Sequence, residues 1–177
     1  MNPITAIKAI ETTWRGYRFR SRLEARWAVF FSEYSLYSPT HQLRFHYEPE
    51  GFDLGDGVAY LPDFYLPDYD TYAEVKPVSF SDIEMDKVIR LAKQSGRSVL
   101  LLVGPPDFKW YESLFPVDDN EITNEFCKID PTVKGRFWYG FGEEYGEMPL
   151  SEIDFSTAYQ MSIYESRSAR FETARAL

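Results

Sequence analysis

Three charged side chains near the middle of the chain have types and spacing suited to metal-assisted chemistry. Asp63 follows Pro62, and one residue separates Glu74 from Lys76. In a strand, side chains two residues apart point to the same face, so Glu74 and Lys76 are expected to project together. Carboxylate oxygens are ligands that Mg²⁺ prefers, and a neighbouring lysine can orient or deprotonate a water molecule or stabilise charge on a phosphate. The pattern predicts an oxygen-rich cation site beside a lysine.

Two strands joined by a tight turn are needed to bring Asp63 beside Glu74. The sequence predicts one strand over about Val58–Tyr65 and another at Thr71–Lys76, with a turn at Pro67–Asp70 between them. Antiparallel pairing of these strands places the two carboxylates side by side.

The rest of the chain alternates helical and extended patterns. Apolar residues recur three and four positions apart from about Arg20 to Tyr34, which predicts a helix. Ser81 or Asp82 begins a second helix that ends near Gly96, and the aliphatic run Ser98–Val103 indicates a strand buried on both faces. The other expected elements are a strand at Leu43–Glu48, a strand near Phe52–Leu54 before a turn at Asp56-Gly57, a short helix near Trp110–Leu114, strands at Glu125–Ile129 and Arg136–Phe141, and a helix from about Ser156 to Thr173. We therefore expect an α/β fold (an α+β mixed sheet) whose core has the order helix, three strands, helix, strand.

Asp63 followed by Glu74-x-Lys76 resembles the signature of the PD-(D/E)XK nucleases, which have restriction-endonuclease-like folds, and Pro62 matches the first letter of that name. Two upstream segments are similar to a branch of small nucleases common in bacteria and their phages: FRSRLEARWA at 19–28 and YEPEGF at 47–52. The resemblance covers about residues 14–104, and the common core of that fold has the helix and strand order predicted above.

The resemblance implies a deoxyribonuclease that depends on one or two Mg²⁺ or Mn²⁺ ions. Glu24 occupies the position of a helix glutamate that joins the metal site in that branch. The implied catalytic residues are Glu24, Asp63, Glu74 and Lys76. The implied metal ligands are the three carboxylates of this set and the backbone carbonyl of Val75. The arginines expected to bind the DNA backbone are Arg18, Arg20, Arg22 and Arg26. Lys76 would position the attacking water.

Each of these residues also has a purely structural explanation. Glu24 follows Ser21 by three residues, which is the spacing of a helix capping box, and both roles can coexist. Glu74 and Lys76 could form a same-face ion pair, and Asp63 could form a turn at a strand end. The arginines could belong to a solvated helix face.

Composition narrows the classes of function. The chain has 177 residues, one cysteine and two histidines, which excludes an intramolecular disulfide and a multi-thiolate zinc site. We expect a single domain over 1–177, with the core at about 14–104 and an extension at about 105–177, in a cytoplasmic protein with no membrane segment. The net charge is −9, and residues 104–155 hold 12 acidic but only 4 basic residues.

This acidic stretch supports a second hypothesis from a different class. The chain could be a catalytically silent protein on the nuclease fold that serves as a phage connector or anti-defence module, with residues 107–154 binding a protein partner. DNA is the partner that the nuclease hypothesis requires, although RNA would be cut by the same chemistry. A homo-oligomer also stays open, because double-strand cleavage with one site per chain usually needs two chains.

Overall fold

The computed structural model describes residues 9–38, 41–109, 111–116, 121–127 and 156–173. They form helices α1 (Arg22–Tyr37), α2 (Asp82–Ser95) and α3 (Thr157–Ser168). The strands, in chain order, are β1 (Thr12–Trp14), β2 (Tyr17–Phe19), β3 (His46–Tyr47), β4 (Phe52–Asp53), β5 (Ala59–Tyr60), β6 (Phe64–Leu66), β7 (Thr71–Lys76), β8 (Ser98–Val103), β9 (Tyr111–Pro116), β10 (Ile122–Cys127) and β11 (Glu172–Thr173).

The described strands form one large sheet and two small ones. The large sheet has the order β10-β9-β8-β7-β6-β3, and all neighbours in it are antiparallel except the parallel pair β7–β8. Helix α2 connects these two strands, because a parallel pair needs a crossover connection. Strand β4 pairs with β5, and β1 pairs with β2 and β11. The fold is therefore mixed α/β with a mostly antiparallel sheet, as the sequence predicted at that level.

Each face of the large sheet carries its own apolar cluster. On one face, helices α1 and α3 contribute large rings such as Trp27 and Tyr159, both fully buried. On the other face, the apolar side of α2 packs on the sheet. Because side chains alternate along a strand, β7 sends Ala73 and Val75 into the first cluster and Tyr72 into the second. We call these sides the α1 face and the α2 face.

The central elements lie at the predicted positions. Strands β7 and β8 have the bounds expected from the sequence. Helix α2 begins after Ser81, which forms a capping box with Glu84, and its C-cap is Gly96. The φ angle of Gly96 is 65°, a left-handed conformation that favours a residue without a Cβ.

Two sequence predictions are wrong, because pairing with other strands determines the conformation of the two segments concerned. The segment Val58–Tyr65 is not one strand: β5 pairs with β4, whereas β6 belongs to the large sheet. Pro62, which has no N–H to donate to a ladder, lies in the break. The short helix expected near Trp110–Leu114 is instead strand β9, which pairs with β8 and β10.

Smaller differences concern the N-terminal half. The strand expected at Leu43–Glu48, which the sequence left either as an extra strand or as part of the first core strand, is reduced to β3, the first of the three strands between α1 and α2 in the large sheet. The segment Phe52–Leu54, expected as the first core strand, instead supplies β4, which pairs with β5 outside that sheet. The hairpin β1–β2 was not predicted. Its turn residues Arg15 and Gly16 both have positive φ, 46° and 83°, the combination found in two-residue hairpin turns.

The C-terminal predictions are covered in part. A strand and a helix were expected at Glu125–Ile129 and at about Ser156–Thr173, where the structure has β10 and α3 with shifted bounds. The strand expected at 136–141 and most of the acidic stretch 107–154 lie outside the described residues. No helix in the described part of the chain is long and apolar enough to cross a membrane.

Candidate functional site

The antiparallel pair β6–β7 brings Asp63 beside Glu74. Phe64 pairs with Ala73 in the register. Asp63 precedes Phe64 by one residue and therefore lies opposite Glu74. The Asp63 amide donates to Glu74 Oε2 at 3.4 Å, and the Val75 amide donates to Asp63 Oδ2 at 2.8 Å. The two carboxylates predicted to meet across a hairpin are thus adjacent, and Val75 contacts Asp63 through its backbone N–H.

Burial makes negative charge costly at this position. The side chains of Asp63 and Glu74 are only 5% and 6% exposed. Burial, together with the negative charges of Glu74 and then Glu24, raises the pKa of Asp63 well above its usual value. The site therefore contains carboxylates that repel one another and that a cation would stabilise.

Lys76 supplies one positive charge to this cluster. Its Nζ donates to Glu74 Oε1 at 2.9 Å and lies 3.4 Å from Glu84 Oε1. Burial lowers the pKa of Lys76, but the charge of Glu74 and the hydrogen bond to it outweigh burial, so this pKa is raised. The expected same-face arrangement of Glu74 and Lys76 is confirmed. Lys76 is thus held as a protonated donor beside Glu74.

Glu24 lies in the first turn of α1 and takes part in its N-terminal cap. The Ser21 hydroxyl accepts from the Glu24 amide at 3.1 Å and donates to Glu24 Oε1 at 2.7 Å. The other carboxylate oxygen accepts from the Tyr47 hydroxyl at 2.6 Å and from the Arg20 amide at 3.1 Å. Glu24 is thus held rigidly at the helix start while its charge acts on Asp63.

Arg20 is the arginine that joins the carboxylate cluster. Its Nη2 donates to Asp63 Oδ1 at 2.6 Å, and its Nε lies 2.6 Å from Glu48 Oε1. Burial opposes its charge, but Tyr47 and the surrounding carboxylates raise the pKa of Arg20 above its usual value. The Arg20 side chain is 52% exposed, so it contacts Asp63 from the solvent side.

The other three predicted DNA-binding arginines do not gather around this cluster. Arg18 forms an ion pair with Glu11. Arg26 donates to two backbone carbonyls near the end of α3, at 2.6 and 2.8 Å. Arg22 is exposed on the first turn of α1 and forms no ion pair with another described residue. A basic surface made by all four arginines together stays a prediction.

Sequence reasoning missed two neighbours of the carboxylates, Tyr47 and Tyr60, and considered Glu48 only as a possible support for the metal. Tyr47 binds Glu24, Glu48 binds Arg20, and the Tyr60 hydroxyl is buried in the electrostatic field of Glu74. Tyr47 and Glu48 belong to the segment 47–52 that carried part of the resemblance, and Tyr60 precedes Pro62 by two residues. Tyr47 stands directly before Glu48, and this pairing of a polar ring with an acidic residue was a signal that could have identified it, whereas Tyr60 has no acidic neighbour in the sequence.

The donor set suits a hard divalent cation, although the side chains are not arranged as a complete metal site. In the ranges that the structure describes, no group of three His, Cys, Asp or Glu side chains is positioned to hold a metal ion. Arg20, Lys76 and Tyr47 bind the carboxylate oxygens instead. Burial, and next the repulsion from Glu74 and Glu24, raise the pKa of Asp63, and a hard cation such as Mg²⁺ or Mn²⁺ bound to these carboxylate oxygens would relieve that repulsion.

Comparison with known proteins gives no relative: no family model, no curated protein and no solved structure matches this chain. The functional interpretation of the candidate site therefore depends on the geometry and chemistry of its residues.

Proposed function

We propose that this protein is a metal-dependent phosphodiester hydrolase that acts on DNA, built on a restriction-endonuclease-like core. The observation that carries the proposal is the adjacency of two buried carboxylates, Asp63 and Glu74, with the Lys76 ammonium on the same strand. Ordinary surface ion pairs do not bury two like charges side by side, because repulsion and desolvation both disfavour that arrangement. A buried carboxyl group whose pKa is raised, as that of Asp63 is, is typical of functional sites.

The order of elements around the site supports the same proposal. Helix α1 precedes β3, β6 and β7, and helix α2 then leads to β8, which is parallel to β7. The resemblance in the sequence implies this order for the nuclease core. Two contacts fix the end of β7 near Lys76: the Gly104 amide donates to the Lys76 carbonyl at 2.8 Å, and the buried Trp27 indole donates to the Gly104 carbonyl at 2.9 Å.

In the proposed reaction each residue has a definite task. Asp63 and Glu74 would hold the divalent cation, with Glu24 as the third carboxylate and the Val75 carbonyl as a further ligand. The cation, when bound, supplies Lewis-acid activation of a water and neutralises charge on the leaving oxygen. Lys76 donates a hydrogen bond that orients the attacking water in line with the phosphorus. Arg20 exchanges its contact with Asp63 for a phosphate oxygen, which its half-exposed side chain permits.

A cleavage assay tests the proposal directly. The purified protein is incubated with supercoiled plasmid and with labelled single-stranded, nicked and branched DNA, in Mg²⁺, in Mn²⁺ and in EDTA. We expect cutting in either metal, no cutting in EDTA, and loss of cutting in Lys76→Ala. A matched control is Lys93→Ala, which removes a lysine from the last turn of α2 rather than from β7.

The same assay distinguishes the alternatives. Cutting of RNA in preference to every DNA form would keep the chemistry and change the substrate. A folded protein that cuts no substrate in either metal would contradict the proposal and favour the catalytically silent interaction module, for which a partner of the acidic stretch 107–154 would be sought.

A further inference from the structure

A second concave surface lies at the other end of strand β6 from the carboxylate site. It is an open pocket of about 470 Å³, which is within the size range of pockets that bind small molecules. Hairpin β1–β2, helix α1, the segment before β3 and the turn after β6 all contribute to its lining. We call it the hairpin pocket, and the residues that define it here are Trp14, Arg15, Tyr17, Leu43, Arg44 and Phe45.

Much of the lining of the hairpin pocket is aromatic. Trp14 and Phe45 are partly buried against the apolar cluster of the α1 face, and Leu43 is fully buried. The Tyr17 ring is exposed, and its centroid lies 5.3 Å from that of Phe45. The Arg15 guanidinium already lies over the Trp14 ring, 4.6 Å from its centroid. Tyr17 is therefore the ring of this pocket that is best placed to stack on a planar ligand.

The charged side chains of the hairpin pocket present their positive ends to the solvent. Arg15 pairs with Glu33 and Arg44 pairs with Asp68, but the arginine side chains are 58% and 70% exposed while the carboxylates are only 12% and 16% exposed. Arg44 donates to Asp68 through Nε and Nη2, and its Nη1 forms no hydrogen bond with another described residue. An anion that approaches the pocket therefore meets guanidinium groups before it meets carboxylates.

An exposed ring beside exposed guanidinium groups is the chemistry that binds a nucleotide. Every base has a face that stacks on an aromatic ring, and arginine binds the phosphate. The bases of a duplex already stack on one another, so a pocket of this kind accepts an unpaired base. A peptide with apolar side chains would use the rings but would bury the arginines without giving them an acceptor, which is costly.

Strand β2 connects the hairpin pocket to the carboxylate site. Tyr17 begins this strand, and three residues further along the chain Arg20 contacts Asp63. Along β6, Asp63 and Pro67, which also lines the pocket, are four residues apart, and a rise of about 3.3 Å per residue makes this roughly 13 Å. A stacked strand of DNA rises about 3.4 Å per nucleotide, so about four nucleotides cover this distance.

We propose that the hairpin pocket binds one unpaired nucleotide of the DNA strand on which the carboxylate site acts, with its base stacked on Tyr17 and its phosphate bound by Arg15 and Arg44. The substrate class is then a duplex that carries a single-stranded flap a few nucleotides from the bond that is cut. This inference rests on the proposed function, because that function supplies the DNA strand.

Fluorescence anisotropy tests the pocket separately from the cleavage chemistry. The full chain is titrated in EDTA into a labelled duplex that carries a single-stranded flap and into the blunt duplex of the same sequence. No metal is needed, because the pocket binds through a ring and guanidinium groups. We expect the wild-type chain to bind the flapped duplex at least about 5-fold more tightly than the blunt one, which corresponds to the stacking of one base.

Two variants separate stacking from charge. Tyr17→Ala should bind the flapped duplex at least about 5-fold more weakly, with the same dependence on salt as wild type. Arg44→Gln should also bind it more weakly, and the slope of log affinity against log salt concentration should become less steep by about 0.7, the value for one phosphate contact of a single strand. The matched controls are Tyr164→Ala, at an exposed tyrosine of α3, and Arg90→Gln, at an arginine of α2 that is also paired with aspartate. Both controls should bind as wild type does.

The contrary outcomes distinguish this inference from the proposed function. Equal affinity of the wild type, Tyr17→Ala and Arg44→Gln for the flapped duplex overturns the role of the pocket, and the nuclease proposal stands when the same wild-type protein cuts DNA in Mg²⁺ or Mn²⁺. An equal loss of affinity in Tyr164→Ala or Arg90→Gln also overturns it, because binding would then not depend on the pocket. Pocket-dependent binding by a protein that cuts no DNA would support the pocket and overturn the nuclease proposal.

Discussion

The two faces of the large sheet use the same strands for different purposes. On the α1 face, Ala73 and Val75 of β7 pack against aromatic rings that are completely buried. On the α2 face, Glu74 and Lys76 of the same strand contact each other and the Asp63 carboxylate lies beside them. If the proposed function is correct, the alternation of β7 separates residues that stabilise the fold from residues that carry the chemistry within six positions. Substitutions on the α1 face should change mainly the free energy of unfolding, whereas substitutions on the α2 face should change mainly activity.

The largest expected effect is Phe30→Ala on the α1 face. Phe30 is fully buried, and its ring contacts those of Trp27 and Tyr159 at centroid distances of 5.5 and 5.3 Å. Removal of such a ring leaves a cavity and typically costs about 3–5 kcal/mol of unfolding free energy. Urea denaturation followed by circular dichroism measures the loss. The control Tyr164→Ala, at a site on α3 that is 65% exposed, should change stability by less than about 0.5 kcal/mol.

A small loss of unfolding free energy in Phe30→Ala would contradict the assignment of stability to the α1 face, since that face would then not be the main source of stability. The folded fraction of this variant should still bind Mn²⁺ with wild-type affinity, because no part of Phe30 belongs to the carboxylate cluster.

On the α2 face, Glu74→Gln should have the opposite profile. The substitution keeps the shape of the side chain but removes a charge that repels Asp63. We expect cleavage to fall at least about 100-fold, equivalent to about 2.7 kcal/mol of transition-state stabilisation, with unfolding free energy changed by less than about 1 kcal/mol. Single-turnover cleavage and urea denaturation measure the two quantities.

The matched control is Glu33→Gln, which neutralises a buried carboxylate on α1 that is paired with Arg15. It should leave cleavage unchanged. Wild-type activity in Glu74→Gln, or an equal loss in Glu33→Gln, would contradict the assignment of chemistry to the α2 face.

The elements that position Glu74 and Lys76 could be predicted because their signals are local. The aliphatic run of β8, the serine that caps α2 and the glycine that ends it are all short-range features, and each of these elements has its predicted place. The contact between Asp63 and Glu74 could also be predicted, because one turn joins the two strands and fixes their pairing.

The rest of the site could not be predicted because it depends on contacts between distant segments. The bond from Tyr47 to Glu24 joins residues 23 positions apart, and the ion pair of Arg20 with Asp63 joins residues 43 positions apart. No spacing rule relates such segments. Strand β9 was misread for the same reason, since its partners on both sides decide its conformation.

A smaller effect is expected at the caps of the two helices on the α1 face. Ser21 and Ser156 each accept a hydrogen bond from the first turn of their helix, at 3.1 and 3.2 Å. Replacement by alanine should cost about 1 kcal/mol of unfolding free energy in both cases. Ser21→Ala should in addition weaken Mn²⁺ binding several-fold, because Ser21 also donates to Glu24 Oε1.

Calorimetric titration of both alanine variants with Mn²⁺ makes this distinction. Equal Mn²⁺ affinity in the two variants would show that Glu24 serves only to cap α1, which is the structural explanation that the sequence left open.

The smallest expected effect is a pH-dependent one at the exposed end of β6 and β7. The Tyr65 hydroxyl and then the Arg97 guanidinium donate to Asp70, and these hydrogen bonds lower the pKa of its carboxyl. Because this pKa is lower in the folded state than in the unfolded state, the ionised Asp70 carboxylate stabilises the protein at pH values above the unfolded pKa of about 3.9. The stabilisation is lost as the pH falls through the folded pKa. Because the Asp70 side chain is 65% exposed, the effect should be well below 1 kcal/mol.

Asp70→Asn tests this contribution without disturbing the backbone. Asp70 has a φ of 49°, and asparagine tolerates the left-handed region as well as aspartate does. The variant should be slightly less stable than wild type at pH 7, and the difference should shrink as the pH falls below the unfolded pKa and through the lower folded pKa of Asp70, because the wild-type carboxyl then becomes protonated. Urea titrations of both proteins in low salt, at pH 7 and over a series of acidic pH values, measure the difference. A stability difference that is independent of pH would mean that the hydrogen bonds at Asp70 do not depend on its charge. A loss of cleavage in Asp70→Asn would mean that the proposed chemistry of the α2 face extends beyond the buried carboxylates to the exposed end of the hairpin.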